Sequence, residues 1–386
     1  MAKPQQQTDV IKDKVQTVHR GKLKVKKLKN QLADKKTVKS AKLVLTILFV
    51  VLTALFSYGR TLNSHIPTWF QIPTWPQIYE FVGLHLEEYI EIPDAPLVVS
   101  FIDVGQGDCT FIKTKEADIL IDAGESESAE TVLEYLNLCN VDDLEYIIAT
   151  HPHSDHVGAL PKIMEEIPAE VLVVLQESAL TDDGDEYRQK LIQTAQNAGV
   201  RVHELSFGSI DNSSKNSVFI GEVALEFLGP TVDDDNLNNL SLVVRMTFGE
   251  VSFLLTGDAE TIEEYTILSR VYEQKINKET TKESEQSTHT ELVSLDCDVL
   301  KVAHHGSDTS STTDFIKAVS PQHAVISSGA DNPYGHPHSE TLLTLMKSGC
   351  TIWKTATCGH IVFAVNEESE IRVLTQLCEV NPTNHG

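Results

Sequence analysis

Tyr146-Ile147-Ile148-Ala149-Thr150-His151-Pro152-His153-Ser154-Asp155-His156-Val157-Gly158 decides how the rest of the chain is read. Its apolar start has the character of a strand, and the residues after Val157 have that of a helix. Between them stand four potential metal ligands, His151, His153, Asp155 and His156, within six residues. A strand that ends in imidazoles and a carboxylate and then turns into a helix presents those groups at its carboxyl edge, where α/β proteins build ligand sites. Imidazole nitrogen and carboxylate oxygen together suit Zn, Mn or Fe.

On either side, apolar runs alternate with helical segments. Strands are expected over 97–104, 109–113, 119–122, 170–175 and 200–205, and helices over 128–138 and 183–198. Residues 218–227 divide at Gly221 into a hairpin, and 241–248 pairs with 251–256 around Gly249-Glu250. A helix over 259–273, a strand over 298–303, a helix over 313–319, a strand over 323–328, a helix over 339–347 and a terminal hairpin complete the pattern. The pattern predicts an α/β (α+β) domain over 96–378, with two mixed sheets face to face and helices outside. Residues 275–292, rich in Lys, Glu, Thr and Ser, are expected to form a mobile surface insertion.

The charge is uneven. Residues 1–42 hold 13 Lys and Arg against 3 Asp and Glu, which leaves 18 against 53, or −35, for the remainder. Such an acidic surface argues against broad, non-specific nucleic-acid binding, which depends on Lys and Arg neutralising phosphates, and no tight duplex binding is expected. Residues 43–59 carry no charge between Lys42 and Arg60, enough for a short membrane helix. The basic segment before it predicts a single-pass protein in the cell membrane, with a cytoplasmic tail over 1–42 and an extracellular domain. A cleaved signal peptide is the alternative. Residues 60–95 read as a stalk. The six cysteines include no Cys-x-x-Cys pair, and Cys109 and Cys139 sit in apolar surroundings that suit buried thiols.

Further ligand types stand at other strand ends: Asp122 in Ile-Asp-Ala-Gly, Asp258 in Thr-Gly-Asp-Ala, and His304-His305 before Gly306. Alone, Asp122 would suit a turn and Asp258 a helix N-cap. With the histidine cluster they form the converging set that a metal-centred site requires.

Five segments carry a resemblance: Phe101-Ile102-Asp103-Val104-Gly105-Gln106-Gly107-Asp108, Ile121-Asp122-Ala123-Gly124, His151–His156, Leu255-Thr256-Gly257-Asp258 and His304-His305-Gly306-Ser307. They resemble the metallo-β-lactamase-fold hydrolases, and more narrowly the extracellular domain of ComEC-type competence proteins and its stand-alone relatives. Asn332-Pro333-Tyr334-Gly335-His336-Pro337-His338 belongs to the same subgroup pattern. The resemblance implies an αββα sandwich holding two divalent cations, Zn or Mn. By position, His151 and His153 would hold the first cation and Asp155 and His156 the second, with Asp258 bridging. One of His304 and His305 would complete the second site, with a slight preference for His304, nearer the strand end. Asp122, Asp103 and Asn239 would support the ligands from outside.

Asp155 and Asp258 would also serve catalysis by activated water. His338 or His336 would protonate the leaving oxygen, and Ser307 would contact phosphate. One departure stands out: Asn238-Asn239-Leu240-Ser241 occupies a region where many superfamily members place another histidine, so the first site is expected to bind more weakly. His203 lies nearby but inside a strand-like run. The pore-forming relatives carry many membrane helices and this sequence one candidate, so the chain is not expected to import DNA by itself. The implied activity is phosphodiester hydrolysis, with single-stranded DNA or a cell-wall phosphodiester such as a choline ester as substrate. The alternative of another class is a tethered, non-catalytic binding module with a vestigial site.

Overall fold

The computed structural model describes residues 90–176, 182–205, 217–231, 234–281 and 294–377. The expected basic tail, membrane span and most of the stalk lie outside the described residues. Among those described, no helix is long and apolar enough to cross a membrane.

Fifteen described strands form two mixed sheets. The first has the order β15(Ile371–Thr375), β14(Ile361–Val365), β1(Leu97–Phe101), β2(Thr110–Thr114), β3(Asp118–Ile121), β4(Leu144–Ile148), β5(Ala169–Leu175), β6(Arg201–Leu205). The second runs β13(Thr351–Lys354), β12(His323–Ile326), β11(Val299–Lys301), β10(Val251–Leu255), β9(Val244–Phe248), β8(Val223–Phe227), β7(Ser217–Ile220). Strand alternation sends successive side chains to opposite faces. Val99 and Phe101 of the first sheet thus share one buried layer with Phe253 and Leu255 of the second, while Val98 faces another. Edge-to-face contacts of Phe363 with Phe101 (5.8 Å) and Phe253 (6.1 Å) tie this central layer.

Helices cover the outer faces because each carries one apolar stripe. On the first sheet lie α1(Ala129–Leu138), α3(Leu160–Glu166) and α4(Asp182–Ala198), with the single turn α2(Ser154–Val157) at the edge. On the second lie α5(Thr261–Thr281), α6(Thr313–Val319) and α7(Ser339–Ser348), and the turn α8(Thr355–Cys358) follows β13. The architecture is the expected αββα sandwich.

Three details differ from the expectation. Ile90 is buried and Ile92 and Ala95 pack beside it, so the end of the expected stalk belongs to the domain. The helix expected to end at 273 runs to Thr281, into the segment read as a mobile insertion; the rest of that insertion, from 282, lies outside the described residues. β13 was not expected. Cys109 and Cys139 are the free, buried thiols expected, Cys297 and Cys350 are free and buried as well, and Cys358 is disulfide-bonded.

Parallel pairing positions the site. β3 and β4 run in parallel with Ile121 opposite Ile148, so Asp122 and Thr150 leave their strands side by side. β10 and β11 run in parallel with Leu255 opposite Lys301, which does the same for Gly257-Asp258 and His304-His305. The two pairs of strand ends meet where Leu242 N donates to Thr150 O, at 2.9 Å.

Candidate metal centre

The centre begins at the end of β4. His151 turns inward, its Nε2 3.0 Å from His153 Nδ1. His153 has extended backbone and precedes α2, whose single turn brings Asp155 and His156 to the same side. His156 lies fully buried, with Nδ1 2.8 Å from Asp122 Oδ2. Asp122 accepts from Thr150 N (2.9 Å) and Thr150 Oγ1 (2.6 Å) as well, so the carboxylate is fixed by backbone and hydroxyl before it fixes the imidazole. Asp122, His304 and His305 take φ values of 55°, 49° and 54°, strained for residues with a Cβ and found where function demands a particular aim.

Asp258 stands in the middle. Its Oδ1 is 3.2 Å from His156 Nε2; its Oδ2 is 3.5 Å from His305 Nε2 and 3.9 Å from both His151 Nε2 and His304 Nε2. His305 Nε2 also lies 3.2 Å from Asp155 Oδ2. On its other side, Nδ1 is 2.9 Å from Ser327 O and 3.3 Å from Asp108 Oδ1. Asp108 in turn pairs with the buried Lys301 ammonium. His304 is less buried, and its Nδ1 lies 3.1 Å from Glu260 Oε1. All seven residues expected to ligate metal therefore meet in one place.

The electrostatics follow from this crowding. Burial lowers His156 and His305, but the carboxylate of Asp258, with Asp122 on one side and Asp108 on the other, overcomes it. His156 is held well above the ordinary histidine range and His305 rises to about 9. Burial and the neighbouring His156 push His151 well below that range. Burial would raise Asp155 and Asp258, yet the surrounding imidazoles, His305 foremost, hold both below the usual carboxylate range.

The supporting residues divide. Asn239 accepts from Glu260 N (3.1 Å) and donates to Asp234 (2.6 Å), bracing the turn after Asp258. Asp103 receives Gly105 N at 3.1 Å, while its own N–H donates to His360; it shapes the Gly105–Gly107 loop. Ser307 is buried with its hydroxyl 3.0 Å from Thr309 Oγ1, so it does not face a substrate as expected. His338 is also corrected: Nδ1 accepts from Asp308 N (3.0 Å) and Nε2 meets Tyr334 O (3.1 Å), committing both nitrogens outside the cleft. His336 faces the cleft instead, 5.5 Å ring to ring from His304 and stacked at 6.2 Å on His305. Burial, with the neighbouring His305 imidazolium next, brings it down to about 4.

Asp108, Lys301, Glu260 and Asn238 are contributors that motif reading passed over as individual residues. One signal was available: Lys301 is a lone charge inside the apolar run Val299-Leu300-Lys301-Val302, which a buried strand tolerates only with a partner.

The open cleft above the centre has a volume of about 670 Å³. Its described lining includes Glu125, Asp155, Asp235 and Asp258, the aromatic side chains of Tyr187 and Tyr334, and neither Lys nor Arg. The donor set fits a cation. Asp108, His156, Asp258 and His305 bring ligand atoms within 4.8 Å of one another. His156 Nε2, Asp258 Oδ1 and Asp108 Oδ1 are buried there without a well-formed hydrogen bond, an arrangement a cation would satisfy.

A family model for the metallo-beta-lactamase superfamily matches residues 102–330. The chain is 28% identical over 284 residues to ComE operon protein 3 of Bacillus subtilis (strain 168), covering 69% of this chain and 32% of that protein. It is 26% identical over 285 residues to competence protein ComA of Neisseria gonorrhoeae (71% and 33%) and 29% identical over 268 residues to recombination protein 2 of Haemophilus influenzae (68% and 28%). The chain thus spans about a third of the length of these curated relatives. With the family match extending over more than half of its residues, the chain belongs to the metallo-β-lactamase superfamily, and its curated relatives are competence proteins of the ComEC type.

Proposed function

We propose that this metallo-β-lactamase superfamily hydrolase is a membrane-anchored, extracellular phosphodiesterase that works with two divalent cations, Zn or Mn. The observation that carries the reading is Asp258, a buried carboxylate whose two oxygens face imidazoles on different sides. His151 and His153 would hold one cation and Asp155, His156 and His305 the other, with Asp258 between them. Such a pair supplies a water of lowered pKa and neutralises phosphoryl charge. The protein groups do the positioning. Asp122 locks the ring of His156, and Asp108 with Ser327 O locks that of His305. His336, neutral at pH 7 and open to the cleft, is placed to hydrogen-bond the leaving oxygen.

Relatives named for competence and recombination favour a nucleic-acid substrate over a β-lactam. Tyr187 and Tyr334 offer faces on which unpaired bases stack, and the acidic chain disfavours a duplex. A second reading draws on the same walls. Acidic side chains and two tyrosines, with no basic residue in the described lining, also suit the quaternary ammonium of a cell-wall choline phosphodiester. The uncharged residues 43–59 behind a basic segment support the anchor, and a disulfide-bonded Cys358 suits an oxidising exterior.

The test uses the full chain in detergent, reconstituted with Mn or Zn. Substrates are bis-nitrophenyl phosphate, single-stranded DNA, duplex DNA and a phosphocholine diester. Turnover of the small diester with one of the two natural classes is expected. Silence on all of them, with lactones or thioesters hydrolysed, refutes the phosphodiesterase reading. Protein that retains no metal after reconstitution supports the non-catalytic binding module instead.

A further inference from the structure

The first cation site is one nitrogen short: His151 and His153 stand there, and Asn238-Asn239-Leu240-Ser241 offers no imidazole. We infer that His304 supplies the missing nitrogen, so that the adjacent histidines divide between the two sites, His304 to the first and His305 to the second. The inference rests on the metal reading above.

Three observations carry it. The left-handed backbone at both residues sends the rings apart, 6.1 Å between centroids and 63° between planes. His305 Nε2 lies 3.2 Å from Asp155 Oδ2 and 3.5 Å from Asp258 Oδ2, whereas His304 Nε2 approaches Asp258 Oδ2 at 3.9 Å, the distance His151 Nε2 also keeps, and does not pair with Asp155. Pairing with Asp155, proposed for the second site, is thus what His305 has and His304 lacks.

The second observation is the tautomer. His304 Nδ1 lies 3.1 Å from Glu260 Oε1 and 3.1 Å from Thr309 Oγ1, and Glu260 is held by Asn236 (2.9 Å) and Asn238 (3.0 Å). A carboxylate on Nδ1 keeps the proton there and leaves Nε2 with the lone pair that a metal needs. Asn238 Nδ2, a donor 3.4 Å from Nε2, fits the same assignment. The third observation is Asn238 Oδ1, a buried oxygen with no hydrogen-bond partner, on the side chain that flanks His304. A cation on this side gives an unsatisfied acceptor its reason.

The experiment strips the detergent-solubilised full chain with chelator and titrates it with Co(II), followed by calorimetry and visible absorption. Wild type takes up two ions. His304→Asn, which tolerates the left-handed backbone and cannot replace the ligand, keeps one ion at wild-type affinity. It binds the other roughly 100-fold or more weakly, beyond the 10–100-fold typical of losing an outer partner. Glu260→Gln weakens that same ion by roughly 10-fold, and His304→Cys restores it with a thiolate absorption band. The loss in His151→Ala is not deepened by adding His304→Asn, because both changes empty one site. Two ions bound by His304→Asn at wild-type affinity, or loss of the ion that Asp155→Asn loses, overturns the inference while the metal reading stands. A wild-type chain that binds no ion overturns both.

Discussion

Gly107→Ala tests whether the loop after β1 is part of the centre's construction. Gly107 sits at φ 138°, a backbone that L side chains rarely adopt. A Cβ there would meet the carbonyl oxygen of Asp155 well inside the 3.0 Å limit of real contacts, with Asp155 C at 3.2 Å and Gly124 Cα at 3.3 Å. All three neighbours are backbone, so no side chain can swing away. The same Asp155 oxygen accepts from Asp108 N at 3.1 Å, a bond the methyl group would wedge open. Left-handed strain of about 1–2 kcal/mol, overpacking of about 1–3 kcal/mol and a lost hydrogen bond of about 1 kcal/mol together predict a destabilisation of about 3–6 kcal/mol.

Gly105→Ala is the internal control. Its φ is 75°, and nothing lies within 4 Å of the added Cβ, so only the strain of about 1–2 kcal/mol applies. If Gly107→Ala folds by displacing α2, Asp155 and His156 move with it. A misplacement approaching 1 Å costs about 100-fold in rate. Urea unfolding of the metal-free chain and calorimetric metal titration read the two effects. Equal losses in the two variants, with metal affinity unchanged in Gly107→Ala, would refute the account of this loop.

Other outcomes follow from the same geometry. His156 and His305 are protonated at neutral pH in the metal-free protein, His305 up to about 9, so metal binding must expel protons. Affinity should rise up to about tenfold per pH unit for each proton released, and calorimetry in buffers of different ionisation enthalpy counts the protons. For metal-free stability the raised pKa of His305 contributes fully below the unfolded value, about 6.5, and is lost as pH climbs through about 9, so urea midpoints should fall across that window. Asp122→Asn weakens the grip on His156 and should lower metal affinity about 10–100-fold, measured by chelator competition. Lys301→Met strands the buried Asp108 carboxylate and should cost about 3–5 kcal/mol, and adding Asp108→Asn should recover part of it in the same unfolding assay.

The readable parts of this site were those in which chemistry is local in sequence. His151 to His156 needs only a strand before it and a turn within it. The placement of Asp258 and His304-His305 beside that turn follows once their strands are parallel, because parallel neighbours share an edge. What could not be read depends on direction. His336 and His338 differ by two residues, yet His338 spends both nitrogens on Asp308 and Tyr334 while His336 opens to the cleft. His304 and His305 are adjacent, and only their left-handed backbone parts the rings. Ser307 carries an attractive hydroxyl next to the histidines, but Thr309 takes it. Lys301 reads as a misfit in an apolar strand until Asp108, 193 positions earlier, is brought beneath it by the fold.

The charge of the centre explains how so acidic a chain could accept an anion. Around the site stand five carboxylates, Asp108, Asp122, Asp155, Asp258 and Glu260, against the Lys301 ammonium and the two imidazoliums of His156 and His305. Without metal this leaves two net negative charges in a cleft whose other walls include Glu125 and Asp235. Exchange of the two protons for the two proposed dications would bring the same pocket to neutral, and burial would keep the field of the cations from being screened. A phosphodiester carries a single negative charge, which such a neutral, cation-lined pocket would no longer repel. The attraction is therefore confined to the pocket, and the rest of the acidic surface repels any polyanion that does not place a phosphate there. Duplex DNA, whose bases are stacked inside and whose phosphates need a basic track, gains little from one such point. A flexible strand or a small diester can bring its phosphate to that point and leave the remainder of itself on Tyr187 and Tyr334.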